Sequence, residues 1–151
     1  MDTVDRLLLD ALRANARATY SELGRVVGLS APAAHERVAK LEAAGVITGY
    51  HAAVAPESLG YAMNALIGVF ISDSADFDEV TTSLTAIPVV EDCWFVAGGE
   101  ETFVVKVRVS GVAALESTIR ALNAISGVAR TRTTVVLSTK FEGRVQSAQP
   151  G

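Results

Sequence analysis

Thr19-Tyr20-Ser21-Glu22-Leu23-Gly24-Arg25-Val26-Val27-Gly28-Leu29-Ser30 decides the architecture of the first third of the chain. Thr19 and Glu22 have capping-box spacing: the hydroxyl accepts from the third helical N–H, and the carboxylate reaches back to the Thr19 N–H. The helix they open has Leu23, Val26 and Val27 as its apolar face. Gly28 ends it, because glycine adopts the left-handed C-cap conformation without a steric penalty. Leu29 follows, and Ser30 stands ready to cap a second helix with Pro32 in its first turn. That helix, about 31–44, buries Ala34, Val38 and Leu41, and Gly45 closes it.

Working outward, Val4, Leu8, Ala11 and Leu12 recur at helical spacing and predict a helix over 4–14. Asn15-Ala16-Arg17-Ala18 interrupts it. On the other side, Val46–Val54 reads as one or two short strands, a wing. Pro56 and Gly60 then punctuate a linker over 55–63. Beyond it the period changes. Strands are predicted over 64–72, 89–97, 102–109 and 130–139. Helices are predicted over 76–87 (Phe77, Val80, Leu84, Ile87) and 112–125 (Val112, Leu115, Ile119, Leu122). Ser74 or Asp76 caps the first helix and Ser110 the second. The order β-α-β-β-α-β is that of a ferredoxin-like fold. The expected class is therefore α+β: a winged helix-turn-helix over 1–54, a linker, a ferredoxin-like domain over 64–142 and a polar tail over 143–151.

The predicted first strand is apolar on both faces, with Leu66 and Phe70 on one and Ile67, Val69 and Ile71 on the other. Two helices cover only one face of a four-stranded sheet. A second copy is the simplest cover for the other, which predicts a dimer built sheet to sheet.

Of the 151 residues, 50% are hydrophobic and 20% are charged, the balance of a globular protein rather than a disordered one. No apolar run approaches the roughly 18 residues of a membrane span. The opening Met1-Asp2-Thr3-Val4-Asp5 carries acids where a signal peptide carries bases, so a cytoplasmic location is expected. Cys93 lies in an apolar run and is expected to be buried and inert. With one Cys and two His, a zinc site of the usual type is not expected.

The net charge of −4 is unevenly spread. Between residues 13 and 40, Arg13, Arg17, Arg25, Arg37 and Lys40 outweigh Glu22 and Glu36. A basic patch on an acidic protein can still hold phosphate. In a helix-turn-helix the second helix enters the major groove of duplex DNA. Its solvent face here offers Pro32, Ala33, His35, Glu36, Arg37 and Lys40. Arg37 and Lys40 suit phosphate or the guanine edge, and Ser30 with the helix N-terminus suits phosphate. Glu36 with Lys40 at i,i+4, or an internal partner for Arg37, would instead make this a solvated helical face.

Asp5-Arg6-Leu7-Leu8-Leu9, Arg17–Leu23, Val27–Ser30, Arg37–Glu42 and Gly45–Tyr50 match, in order, the pattern of the leucine-responsive regulator/AsnC (feast-famine) family. In the C-terminal half, Val90–Ala97 running into Gly98, then Phe103–Val107, resembles that family's regulatory domain. The resemblance spans about residues 2–140. It implies DNA bending or wrapping, assembly into dimers and then tetramers or octamers, and an amino-acid or related effector held between subunits. No other cofactor is expected. Carried onto this chain, the effector loop is Gly98-Gly99-Glu100-Glu101-Thr102, with Thr133 and Thr134 offering hydroxyls from a neighbouring subunit. Glycines let backbone N–H groups approach a carboxylate, and an acid can take an ammonium group. The family usually has Asp shortly after the Gly, where this chain has Glu100-Glu101. It usually has Ala where this chain has Gly24, a residue that costs about 0.5–1 kcal/mol inside a helix.

Some relatives of the family decarboxylate sirohaem with His and Arg. This chain has no His after His51, and enzymatic activity is not expected. A protein that binds effector and assembles with a relative without reading DNA is the other alternative. An RNA-binding sheet would need exposed aromatics on its central strands, where the sequence offers mainly Val and Ile.

Overall fold

The computed structural model describes residues 1–144 in two compact units. One comprises Met1–Ala53 with the described residues after Lys140; the other is Val54–Lys140. Residues 145–151, most of the expected tail, lie outside the described residues.

The first unit is three helices: α1 (Thr3–Ala14), α2 (Tyr20–Val27) and α3 (Ala31–Ala43). Leu8, Leu12, Leu23, Ala34 and Val38 interlock as its core, with Val4, Ala11, Val27 and Ile47 packed around them. The Thr19/Glu22 capping box forms, and Gly28 sits in the left-handed region at φ 72°. A second box opens α1, where the Asp2 side chain accepts from the Asp5 N–H and Asp5 reciprocates. Gly24 fits the turn tightly. The Leu29 N–H bonds to its carbonyl at 2.8 Å, and a Cβ at Gly24 would meet the Leu29 carbonyl oxygen at under 3.0 Å. The glycine is therefore required by the close approach of α2 to the turn.

The wing strands read into 46–54 are not present. The Val46 and Ile47 N–H groups both donate to the Leu41 carbonyl, and Tyr50 donates its hydroxyl to Glu42 at 2.7 Å. These bonds fold the segment back against α3 instead of extending it along a partner strand.

In the second unit, a 3₁₀ turn (Pro56–Leu59) ends at Gly60 and leads into β1 (Met63–Ile71), α4 (Phe77–Thr85), β2 (Val90–Phe95), β3 (Phe103–Val109), α5 (Val112–Asn123) and β4 (Val128–Val136). The sheet order is β2-β3-β1-β4, with every neighbouring pair antiparallel. This is the ferredoxin-like arrangement. Ala65, Ile67, Val69, Phe103, Val105, Val107 and Val109 point to one face, where Val80, Leu84, Leu115 and Leu122 of the helices bury them.

Three expectations need correction here. Gly111 takes the N-cap of α5 without a side-chain bond, so Ser110 is not the cap. Cys93 is exposed, because β2 is an edge strand and an apolar run does not distinguish an edge from a centre. The open face of the sheet is not uniformly apolar. Phe70 is buried beneath the Arg130 guanidinium, 3.5 Å from its ring centroid, and Lys106 and Arg108 pair with Glu91 on the same face. Leu66 and Trp94 remain open at 38% and 46% exposure.

The capping acids contribute to the pH response of the first unit. Asp2 is held below its ordinary range first by the Asp5 N–H and then by Arg37; Glu22 is held down by the Thr19 N–H and hydroxyl. A carboxyl with a lowered folded pKa contributes stability that is complete above its unfolded value and vanishes as pH falls through the folded one. The thermal midpoint of this unit, followed by circular dichroism, is expected to be level between about pH 7 and pH 5 and to fall below about pH 4. Glu22→Gln should flatten that acid slope.

Candidate functional site

The residues expected to face DNA lie on α3 and its N-cap. Pro32, His35, Glu36 and Lys40 are exposed, Ala33 is half-buried, and Ser30 caps the helix by accepting from the Ala33 N–H at 3.4 Å. Ala34, Val38 and Leu41 face inward, so packing fixes which side of the helix meets solvent. The His35 ring lies 4.5 Å from the ring of Tyr20 at the start of α2. Both bases of α3 have acids. Lys40 bonds Glu36 at 2.7 Å, one turn away. Arg37 reaches across to α1, where its Nη1 donates to Asp2 and to Asp5, each at 2.8 Å. These pairs raise the Arg37 pKa still further and lower those of Asp2 and Glu36.

Tyr20 and Arg25 were missed as candidates. The first helix of a helix-turn-helix crosses the phosphate backbone, and both residues are exposed on α2.

The second candidate site is the connection between β2 and β3. The Val96 N–H donates to the Thr102 carbonyl, and the Thr102 N–H donates to Val69 of the central strand, so the loop is anchored at its base. Gly98 stands at φ 98° with open space beside it. The Glu101 side chain lies over Gly68, 3.4 Å from where a Cβ would stand, and pairs with Arg132 of β4. Its carboxyl is held below its usual range, first by the Glu101 N–H itself and also by Arg132 and the Glu100 N–H. Glu100 pairs with Arg130 at 2.9 Å. Gly98, Gly99, Glu100, Glu101 and Thr102 thus form one continuous feature on the open sheet face.

Thr134 opposes Leu66 and shares that face. Thr133 opposes Ile67 and points to the helix-covered side, so it does not join the loop. Gly68, Phe70, Arg130 and Arg132 do join it and were not among the candidates. The alternation Arg130-Thr131-Arg132-Thr133 carried the signal, since period 2 places both guanidinium groups on one face.

The first 42 residues match the AsnC-type helix-turn-helix domain, and residues 64–146 match the Lrp/AsnC ligand binding domain. The chain is 39% identical over 144 residues to the HTH-type transcriptional regulator LrpA of Mycobacterium tuberculosis, covering 95% of each. The chain belongs to the Lrp/AsnC family of transcriptional regulators. It is 33% identical to the regulatory protein AsnC of Escherichia coli, covering 91% of this chain and 90% of that one. Among solved structures, it superposes on a feast or famine regulatory protein from M. tuberculosis complexed with L-methionine. The TM-score is 0.90 at 38% identity, with 97% of this chain and 99% of that chain covered. A transcriptional regulator from Neisseria meningitidis, also complexed with L-methionine, gives a TM-score of 0.88 at 26% identity, covering 99% and 96%.

This Lrp/AsnC regulator carries an AsnC-type helix-turn-helix in which both bases of α3 are paired with acids. Its relatives are regulators rather than enzymes.

Proposed function

We propose that this Lrp/AsnC regulator binds duplex DNA in the cytoplasm and that an amino acid or related small molecule changes its occupancy. Ser30, Pro32, Ala33, His35, Arg37 and Lys40 line the DNA side. Gly98, Gly99, Glu100, Glu101 and Thr102 form the effector loop, completed by Thr134 and the Arg130/Arg132 pair. The observation that carries the effector reading is the loop itself: two glycines beside a fixed carboxylate, opening on a sheet face that the helices leave uncovered. The L-methionine complexes of two relatives support it. A second copy covers Leu66 and Trp94 in a dimer, with larger assemblies built from dimers, and the effector lies between subunits. The chemistry needs no metal, cofactor or catalytic residue.

A ligand shifts an equilibrium only by its differential affinity for two states. Coupling of about 1–3 kcal/mol changes operator occupancy several-fold. The test is a thermal-shift screen of the purified protein against the twenty amino acids, followed by an anisotropy titration of duplex DNA with and without the hit. A ligand that raises the melting temperature and changes DNA affinity is expected. No shift with any amino acid at millimolar concentration overturns the effector assignment.

The internal pairing of both α3 bases favours one second reading, a subunit that assembles with a relative and does not grip DNA itself. Folded protein that binds no duplex even at low salt is the outcome that reading predicts.

A further inference from the structure

Asp2, Asp5 and Glu36 face Arg37 and Lys40 on the flank of α3, so acids outnumber bases where a phosphate would approach. Arg37 is 35% exposed and commits a single nitrogen, Nη1, to both aspartates. Its Nε and Nη2 have no hydrogen-bond partner among the described residues. A groove lined by Leu29, Ala33, Arg37 and Lys40 opens beside it. Asp5 is largely covered at 16% exposure, whereas Asp2 is open to solvent at 53%.

We propose that Asp2 acts as an internal phosphate mimic that holds Arg37, and that DNA binds by displacing this carboxylate from the guanidinium. The proposal rests on α3 being the DNA-facing helix. Phosphate and the Asp2 carboxylate compete for the same guanidinium charge, so the exchange lowers affinity for every sequence alike. It leaves discrimination between sequences to the base edges. Asp5 keeps its bond to Arg37 throughout the exchange and holds the guanidinium at the groove.

Asp2→Asn separates this role from folding. Asparagine caps a helix as well as aspartate does, so α1 keeps its start. The variant loses only the charge opposite Arg37. The full-length protein is titrated by fluorescence anisotropy against a labelled duplex of random sequence and a duplex from upstream of its own gene, at several salt concentrations. Asp2→Asn is expected to bind both duplexes roughly two- to five-fold more tightly at low salt, the scale of one exposed ion pair. The log–log salt slope should change by less than one phosphate contact, because Arg37 reaches phosphate in both proteins. In an Arg37→Gln background the same substitution should give no gain. Circular dichroism melts confirm that each variant is folded. Unchanged or weaker binding by Asp2→Asn overturns the proposal, and so does a gain that persists without Arg37, which would reflect general charge alone. Failure of every variant and of the wild type to bind either duplex overturns it together with the DNA-facing assignment. Normal wild-type binding with no Asp2 effect overturns the displacement alone.

Discussion

Gly24→Ala is expected to destabilise the helix-turn-helix unit by about 1–3 kcal/mol, the cost of forcing a methyl group into a packed site. Helix propensity alone argues the opposite, since alanine gains about 0.5–1 kcal/mol over glycine inside a helix. The sign is set by the neighbour. The new Cβ meets the Leu29 carbonyl oxygen, a backbone atom in the turn between α2 and α3. That turn has little room to move, because the Leu29 N–H is bonded to Gly24 and the next residue, Ser30, caps α3. Relief must come from shifting α3 relative to α2, which also displaces the DNA-reading face. Gly24→Val adds a branched Cβ and should cost more. Denaturant unfolding followed by far-ultraviolet circular dichroism measures the effect, and operator affinity should fall in the same order. An alanine variant as stable as the wild type would show that the turn yields freely.

Gly98→Val is expected to abolish the thermal shift produced by an amino-acid effector while leaving DNA binding intact. Gly98 has open space beside it, so the obstacle is conformational. At φ 98° a branched residue is severely strained, and the loop must rearrange to accommodate it. Rearrangement moves Gly99 and with it the Glu101 carboxylate, which is packed against Gly99 and paired with Arg132. Ligand at a hundred times its dissociation constant stabilises a protein by about 2.7 kcal/mol, so loss of the response is readily measured. A normal response from this variant would place the pocket elsewhere in the domain.

The elements were largely legible because each rests on local chemistry. The Thr19/Glu22 box, the Gly28 cap and the period change after residue 60 all lie within a few neighbouring residues. The Asp2/Asp5 box went unread because its N3 residue is Asp rather than Glu or Gln. The wing failed because a strand needs a partner, and α3 offered the segment from residue 46 bonds closer to hand. What lay furthest from view was side-chain pairing across long separations. Arg37 finds Asp2 at 35 residues' distance, and Arg132 finds Glu101 at 31. Candidate residues named by type and spacing therefore gather on α3 and on the β2–β3 connection, but their partners did not follow. Thr133 shows the same limit at short range, since a one-residue step in a strand moves a side chain to the other face.

Trp94 gives the protein a built-in optical label. It is the single tryptophan of the chain and stands on the open sheet face at 46% exposure, in the strand that leads into the Gly98 loop. Indole emission shifts to shorter wavelength as water is excluded. Its colour therefore reports whether that face is wet or covered, without dye or tag. The first 53 residues contribute tyrosine but no indole, so with excitation at the red edge of the absorption band the DNA-reading half is dark. Burial of that face by the proposed second copy can thus be tested in a cuvette while DNA binding is followed independently through a label on the duplex.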